Sequence, residues 1–281
     1  MSHLPEPYAS SLPHLLALAF AEDLPDITGE ALFPPTAKAQ AHIKAKQQGV
    51  LAGVPAAAYA FCFLDPSCEV RVQREDGQAV SPGETILEVQ GPARALLAAE
   101  RTALNFLMRL SGIATLTHQF VEALRGTGCQ LLDTRKTTPG FRRLEKHAVR
   151  CGGGKNHRMG LYDAAMVKDT HIAACGSITL AVDKVRRRWG GQPPLVVECS
   201  TLEQVEEALA CAVPHLLLDN MDLATLRQAV SKAKGKAVLE ASGGITLANV
   251  REVALTGVDF ISVGAVTHSA PALDCSMKVI L

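Results

Sequence analysis

Six short apolar runs recur along the second half of the chain, at 130–132, 164–167, 195–197, 215–218, 237–239 and 260–263. Most are separated by helical patterns opened by good capping residues: Ser177, Thr201, Asp222 and Thr246. Runs this short and continuously apolar suit strands buried on both faces, with helices covering them. The alternation predicts a βα series with a parallel sheet. In such sheets the chemistry is done where loops meet, at the carboxyl ends of the strands, whether the sheet closes into a barrel or stays open and doubly wound. Six strands fall short of a closed barrel, so either two are cryptic, the barrel is incomplete, or the sheet is open.

The residues just beyond each run carry the functional signal. Asp133-Thr134-Arg135-Lys136 comes after the first, Lys168-Asp169 after the second, and Glu198 closes the third; Asp219-Asn220, Glu240-Ala241-Ser242-Gly243-Gly244 and Gly264-Ala265 come after the others. Between positions 135 and 158 stand eight Lys or Arg against one acid, Glu145, although the whole chain balances 28 basic residues with 28 acidic ones. A neutral protein with one cationic segment gains little from nucleic acid or a membrane surface but can hold a small polyanion. The substrate is expected to carry phosphates or carboxylates.

Arg135, His157 and Arg158 supply forks and donors for planar carboxylates, whereas Lys136 and Lys168 offer compact charges suited to phosphate. A lone surface cation is usually just solvated. Lys168 is less easily dismissed, because it directly follows Ala-Ala-Met-Val in an expected buried strand, where an unpaired ammonium is costly. Ser242-Gly243-Gly244-Ile245-Thr246 is read as leading into a helix whose N–H groups and dipole cradle a phosphate, with Val263-Gly264-Ala265 as a second set. Glu198 and Asp219 end successive strands and could ligate Mg²⁺, take ribose hydroxyls, or act as acid and base. Ion pairing with the cationic cluster is the plainer alternative, and local sequence leaves that choice open.

The first part of the chain reads as a separate domain. A helical pattern at 10–22 precedes strand patterns at 39–45, 69–73 and 85–90, and a long amphipathic helix at 93–110 is expected to stop at Gly112. The stretch DGQAVSPGETILEVQG faintly resembles lipoyl and biotinyl carrier domains, but no Lys occurs between Lys46 and Lys136 to carry a cofactor, so a packing domain is expected. Eight cysteines lie scattered without CxxC spacing, which argues against a zinc site or disulfide framework and fits a reducing cytoplasm. No run reaches the roughly 20 apolar residues of a membrane span, and the short 15–21 run has no basic lead of a targeting segment.

The run TRKTTPGFRRLEKHAVRCGGGKNHRMGLYDAAMVKDTHI strongly resembles the signature of the quinolinate phosphoribosyltransferase family, the decarboxylating enzymes of NAD biosynthesis. The likeness extends through ERTALNFLMRLSGIAT, LLLDNM, EASGGI and ISVGAVTHSA and so covers most of the chain. It implies an α/β fold: an incomplete parallel α/β barrel over 113–269 and an N-terminal α/β sandwich domain over 1–112, completed by about 270–281. It also implies a homodimer with shared active sites, quinolinate and phosphoribosyl pyrophosphate as substrates, and Mg²⁺ as cofactor.

By position, Arg101, Arg135, His157 and Arg158 are expected to hold the two carboxylates of quinolinate, with Thr134 beside them; Lys136 and Lys168 lie by the phosphoribosyl pyrophosphate. Glu198 and Asp219 serve ribose hydroxyls and Mg²⁺, directly or through water, and the loops Ser242-Gly243-Gly244 and Val263-Gly264-Ala265 take the 5′-phosphate. Lys136, Lys168, Glu198 and Asp219 form the expected catalytic set. Thr170 stands where the family has Asn, Cys199-Ser200 where it tends to have Val-Glu, and the glycine-rich lead into Asp26-Ile27-Thr28 is shortened to Leu24-Pro25. A relative associated with molybdenum transport shares the TRK and HR elements but lacks the Lys-Asp pair that Lys168-Asp169 supplies. A non-catalytic nucleotide sensor is the rival of another class, and the joint presence of Lys136, Lys168, Glu198 and Asp219 argues against it.

Overall fold

In strand β1 (Lys38–Ala45) the small apolar residues Ala39, Ala41, Ile43 and Ala45 alternate with polar ones, so one face of the strand is buried and the other looks outward. The computed structural model describes residues 4–280, which divide into two compact units. The first contains the described residues up to His118, with Thr137–Gly153 and those from Ala265 onward; the second contains Gln119–Lys136 and Gly154–Gly264.

The first unit adds strands β2 (Gly49–Val50), β3 (Glu69–Val72), β4 (Ala79–Val80) and β5 (Thr85–Pro92). The second contributes β6 (Gln130–Leu132), β7 (Ala165–Val167), β8 (Leu195–Cys199), β9 (His215–Asp219), β10 (Val238–Ser242) and β11 (Phe260–Ser262), and β12 (Cys275–Ile280) returns to the first. In the first unit β12, β1, β5 and β3 form an antiparallel sheet in that order, with Gln40 opposite Ile280 and Ala45 opposite Cys275. Strands β2 and β4 make a separate pair. The N-terminal helix runs over Leu12–Asp23 and buries Leu12, Leu16 and Phe20 at helical spacing.

The long helix corrects one expectation: it does not stop at Gly112 but spans Ala93–Ala123. Gly112 lacks the left-handed backbone of a helix terminator. A Cβ there would lie 2.0 Å from the carbonyl oxygen of Pro271, so glycine serves a close backbone approach inside a continuous helix.

The second unit is an all-parallel six-stranded sheet ordered β6-β11-β10-β9-β8-β7. From β7 to β11 the strands follow chain order in one direction, and β6 joins at the far side of β11. A doubly wound sheet reverses direction partway across; this one winds as a barrel does, with β6 and β7 left as edges among the described residues. The incomplete parallel α/β barrel is therefore the observed architecture. Ser177, Thr201 and Asp222 cap their helices by accepting the N–H groups of Leu180, Gln204 and Thr225. Thr246 does not act as a cap: the helix it precedes starts only at Val250, and Asn249 Oδ1 accepts the Thr246 N–H at 2.8 Å. Val197, Leu216, Leu218, Leu239 and Ile261 are buried, as are Ile178, Val205 and Leu226 on the helices. Each such side chain contributes roughly 1.5–3 kcal/mol of burial energy. Among the described residues no helix is long and apolar enough to cross a membrane.

Candidate active site

The register of the parallel sheet decides which residues share a face. Val196 is level with His215, His215 with Val238, Glu198 with Leu217, Leu217 with Glu240, and Asp219 with Ser242. In-register neighbours point the same way and alternate along each strand. Glu198, Asp219, Glu240 and Ser242 therefore all project from one face, opposite to the face that buries Val197, Leu216 and Leu218.

Lys168 stands one residue beyond β7, where its backbone N–H donates to His171 Nδ1 at 3.0 Å. Its Nζ meets Glu198 Oε2 at 2.7 Å; the lysine side chain is 43% exposed and the glutamate only 11%. The ammonium is thus not stranded in a strand interior but reaches over the sheet to a neighbouring carboxylate. Asp219 Oδ2 accepts from Asn220 Nδ2 at 2.7 Å. Asn220 has a left-handed backbone and donates its N–H to Ser242 O at 2.9 Å, lacing the ends of β9 and β10 together. Opposite it, a Cβ on Gly243 would lie 2.1 Å from Asn220 Oδ1, and Gly243 itself has a φ of 96°. The glycine is therefore required by both backbone and contact.

The loop after Gly243 closes on itself rather than on a long helix. Asn249 Nδ2 donates to Gly244 O at 3.1 Å, and the helix beyond it is only Val250–Ala254. The expected contribution of a helix dipole directly after Ser242-Gly243-Gly244 is absent; what remains is a tight backbone turn at two successive positive-φ glycines. Val263 continues the pairing of β11 with β6 by donating to Leu132 O at 3.0 Å, and Gly264 and Ala265 come next, with Ala265 opening the short helix Ala265–His268.

The cationic loops hang on a buried acid that the motifs left without a role. Asp133, fully buried at the end of β6, accepts from Asn156 Nδ2 at 2.6 Å and from the His157 N–H at 2.8 Å. Lys155 bridges to β6 from the same segment, donating its N–H to Leu131 O. His157 and Arg158 are consequently held beside the strand that leads into Thr134, Arg135 and Lys136, with Thr134 Oγ1 accepting the Lys136 N–H at 3.0 Å. His157 Nδ1 accepts the Arg158 N–H at 2.6 Å, and its Nε2 lies 3.3 Å from Glu240 Oε2.

Glu240 is the second acid that sequence reasoning passed over. It is 0% exposed, with His157 on one side and His215 Nε2 at 3.0 Å on the other. Burial alone would push its carboxyl up, but the two imidazoles, with Ser262, outweigh burial and hold it down at about 2. Arg158 shows the opposite sign. Its guanidinium donates to Ala164 O at 2.8 Å, and burial together with the nearby Arg135 lowers its proton affinity, against a smaller effect of Asp163. A second guanidinium close enough to disfavour the charge of Arg158 makes the pair a ready site for an anion of more than one charge.

The eight cations of the basic stretch divide evenly. Arg135, Lys136, Lys155 and Arg158 belong to the second unit, whereas Arg142, Arg143, Lys146 and Arg150 lie on the helix Arg142–Cys151 of the first. The single acid of the stretch, Glu145, is fully buried and accepts from Arg109 Nη2 at 2.8 Å, from the Thr138 N–H at 3.0 Å and from Thr138 Oγ1 at 2.8 Å. Arg101 also belongs to the first unit, exposed on the helix Ala93–Ala123.

Both halves of the chain match known families. Residues 26–111 match the family model for the quinolinate phosphoribosyl transferase N-terminal domain and residues 113–278 that for its C-terminal domain. The chain is 44% identical over 283 residues to a probable nicotinate-nucleotide pyrophosphorylase [carboxylating] of Bacillus subtilis, covering 100% of this chain and 96% of that protein. It is 48% identical over 246 residues to the protein of the same description in Synechocystis, covering 86% and 83%. The crystal structure of NadC from Streptococcus pyogenes superposes with a TM-score of 0.92 at 40% identity, covering 96% of each chain. With both domains matched and relatives this similar over most of their lengths, the chain belongs to the quinolinate phosphoribosyltransferase family.

Proposed function

We propose that this chain transfers the phosphoribosyl group of phosphoribosyl pyrophosphate to quinolinate and decarboxylates the product, giving nicotinate mononucleotide, CO₂ and pyrophosphate in de novo NAD biosynthesis. The observation that carries this reading is the juxtaposition of Arg135 and Arg158 beside a sheet face that bears Glu198 and Asp219. The pair of guanidiniums suits a dicarboxylate, and the carboxylates beside them suit a sugar that develops positive charge.

In this reading Arg135, Arg158 and His157 orient the pyridine so that its nitrogen faces the anomeric carbon. The nitrogen forms a bond to that carbon as the bond to pyrophosphate breaks. Lys136 and Lys168 stabilise the charge that grows on the departing group. Glu198 and Asp219 hold ribose hydroxyls, and Glu198 gives up part of its pairing with Lys168 as substrate enters. The bond from C2 to its carboxylate then breaks, CO₂ leaves, and the electron pair on C2 is stabilised by the adjacent cationic nitrogen until it takes a proton. Positioning matters more here than a strong base. The loop Ser242-Gly243-Gly244 offers backbone N–H groups to the 5′-phosphate without a helix dipole behind them, and the loop Val263-Gly264-Ala265 offers those of Gly264 and Ala265, since the Val263 N–H is taken by Leu132 O.

Glu198 and Asp219 fit Mg²⁺, because two hard carboxylates on neighbouring strands, joined by substrate phosphates, are the donor set that ion prefers. When bound, Mg²⁺ would supply charge neutralisation for pyrophosphate. We also place the chain in a homodimer, with Arg101 serving the partner subunit's site; its exposure on a helix outside the parallel sheet supports that assignment. Eight free cysteines support a reducing, cytoplasmic setting.

Acceptor choice tests the site. Nicotinate lacks the 2-carboxylate and would deny the half-buried Arg135 and Arg158 a charged hydrogen-bond partner, a loss of roughly 1.5–3 kcal/mol. Its kcat/KM should therefore fall about 10- to 100-fold below that of quinolinate. Comparable values for the two acceptors would remove Arg135 and Arg158 from the role given to them.

A further inference from the structure

Outside the parallel sheet, three side chains of different donor type converge in the first unit. The helix Arg142–Cys151 carries His147 and Cys151 one turn apart, so both project from the same face. Asp76, just before β4, meets them there. Its Oδ2 lies 2.9 Å from His147 Nε2, and Cys151 Sγ lies 3.3 Å from that same nitrogen. The three donor atoms all fall within 4.8 Å of one another.

Against the expectation from cysteine spacing, which carries no sign of a ligand set using a single cysteine, we propose that Asp76, His147 and Cys151 form a binding site for a thiophilic divalent cation of the zinc type. Zinc–ligand distances of about 2.0–2.2 Å to nitrogen and oxygen and about 2.3 Å to sulfur place tetrahedral donors roughly 3.3–3.6 Å apart. An ion entering this cluster has to move Asp76 Oδ2 and Cys151 Sγ away from His147 Nε2 by only about half an ångström or less. The set is mixed and includes a soft sulfur, which favours zinc over magnesium.

The carboxylate is aimed before any ion arrives. Asp76 Oδ1 accepts the Val54 N–H at 2.9 Å, and Oδ2 accepts the Tyr8 hydroxyl at 2.5 Å. The Tyr8 ring packs edge-on against the His147 ring with centroids 5.2 Å apart. Outer contacts of this kind fix the orientation of metal ligands. A cavity of about 790 Å³, lined by Tyr8, Tyr59, Asp76 and His147 among others, supplies space for water or a small ligand at the fourth position. A nucleophilic cysteine relay does not fit the same atoms. Asp76 and Cys151 meet one imidazole nitrogen, whereas a relay needs the carboxylate on the opposite nitrogen from the nucleophile. One neighbour works against the ion: Arg150 Nη2 lies 3.3 Å from His147 Nδ1, the nitrogen that must carry the proton once Nε2 binds metal. Arg150 is exposed and free to turn outward.

Cobalt(II) titrated into the metal-free full-length protein tests the site by its spectrum. One equivalent should give the intense visible bands of a tetrahedral centre and a thiolate-to-cobalt charge-transfer band. Cys151→Ser, a near-isosteric change, should abolish the charge-transfer band while circular dichroism stays unchanged, and His147→Ala, which removes a direct ligand, should weaken binding by more than the roughly 10- to 100-fold that losing an outer contact costs. Arg150→Ala should bind as tightly as the wild type or more tightly, and Cys62→Ser should keep the full spectrum. Zinc should raise the thermal unfolding midpoint of the wild type and not that of Cys151→Ser, since an ion that binds only the folded chain stabilises it. Absence of the charge-transfer band at one equivalent, its survival in Cys151→Ser, or its loss in Cys62→Ser would overturn the proposal.

Discussion

At the scale of single residues, the acids beneath the site do more than the cations around it to fix its geometry. Glu240 is buried between His157 and His215 and keeps its charge with a carboxyl held at about 2, against an ordinary 4.5. A group whose folded value is depressed stabilises the fold above its unfolded value near 4.3 and loses that contribution as pH falls toward the folded value. The shift corresponds to on the order of 3 kcal/mol. Denaturant unfolding of wild type and Glu240→Gln should therefore differ by roughly that amount at neutral pH, and the gap should close between about pH 4.5 and 2. A gap that does not change with pH would assign the loss to packing instead. The sequence makes the cations conspicuous, because Lys and Arg concentrate in one stretch of a neutral chain. It does not show that Asp133 accepts the His157 N–H 24 positions away, or that Glu240 faces His157. The only available signal was position: Asp133 directly follows β6, and Glu240 sits within β10, whose neighbours carry the site.

At the scale of elements, nine of the strands were legible to within about three residues at each end, because β-branched and leucine-rich runs bounded by polar residues have few other uses, whereas the short β2 and β4 and the terminal β12 were not read as strands. Capping was legible where the side chain bonds locally, as at Ser177, Thr201 and Asp222. It failed at Thr246, because the helix beyond it starts only at Val250 and Asn249 Oδ1 accepts the Thr246 N–H instead. Gly112 failed for a tertiary reason, since the chain segment that requires a glycine there lies about Pro271. Two effects compete at this position. Gly112→Ala gains about 1 kcal/mol of helix propensity, yet its Cβ would fall 2.0 Å from a backbone carbonyl oxygen that cannot easily give way. The collision should win, so the thermal midpoint of Gly112→Ala should drop. A rise would mean that the segment about Pro271 gives way and helix propensity wins.

At the scale of the whole molecule, the order of the six strands distinguishes an incomplete barrel from a doubly wound sheet, a distinction that periodicity along the chain does not contain. Arg101 raises the corresponding question of assembly, because it belongs to a different compact unit from Lys168. If Arg101 serves the partner subunit's site, Arg101→Ala and Lys168→Ala homodimers should both be nearly inactive while co-refolded mixtures regain activity. One site of each mixed dimer then has an intact Lys168 from its own chain and an intact Arg101 from the other. No recovery, with mixed dimers verified by mass spectrometry, would return Arg101 to its own chain's site or remove it from the site. The central claim itself is tested most directly with quinolinate labelled in its 2-carboxylate. Incubated with phosphoribosyl pyrophosphate and Mg²⁺, the purified protein should release labelled CO₂ and form nicotinate mononucleotide in equal amounts, with neither product appearing when phosphoribosyl pyrophosphate is left out. A nucleotide that retains the label, or no reaction, would contradict the account.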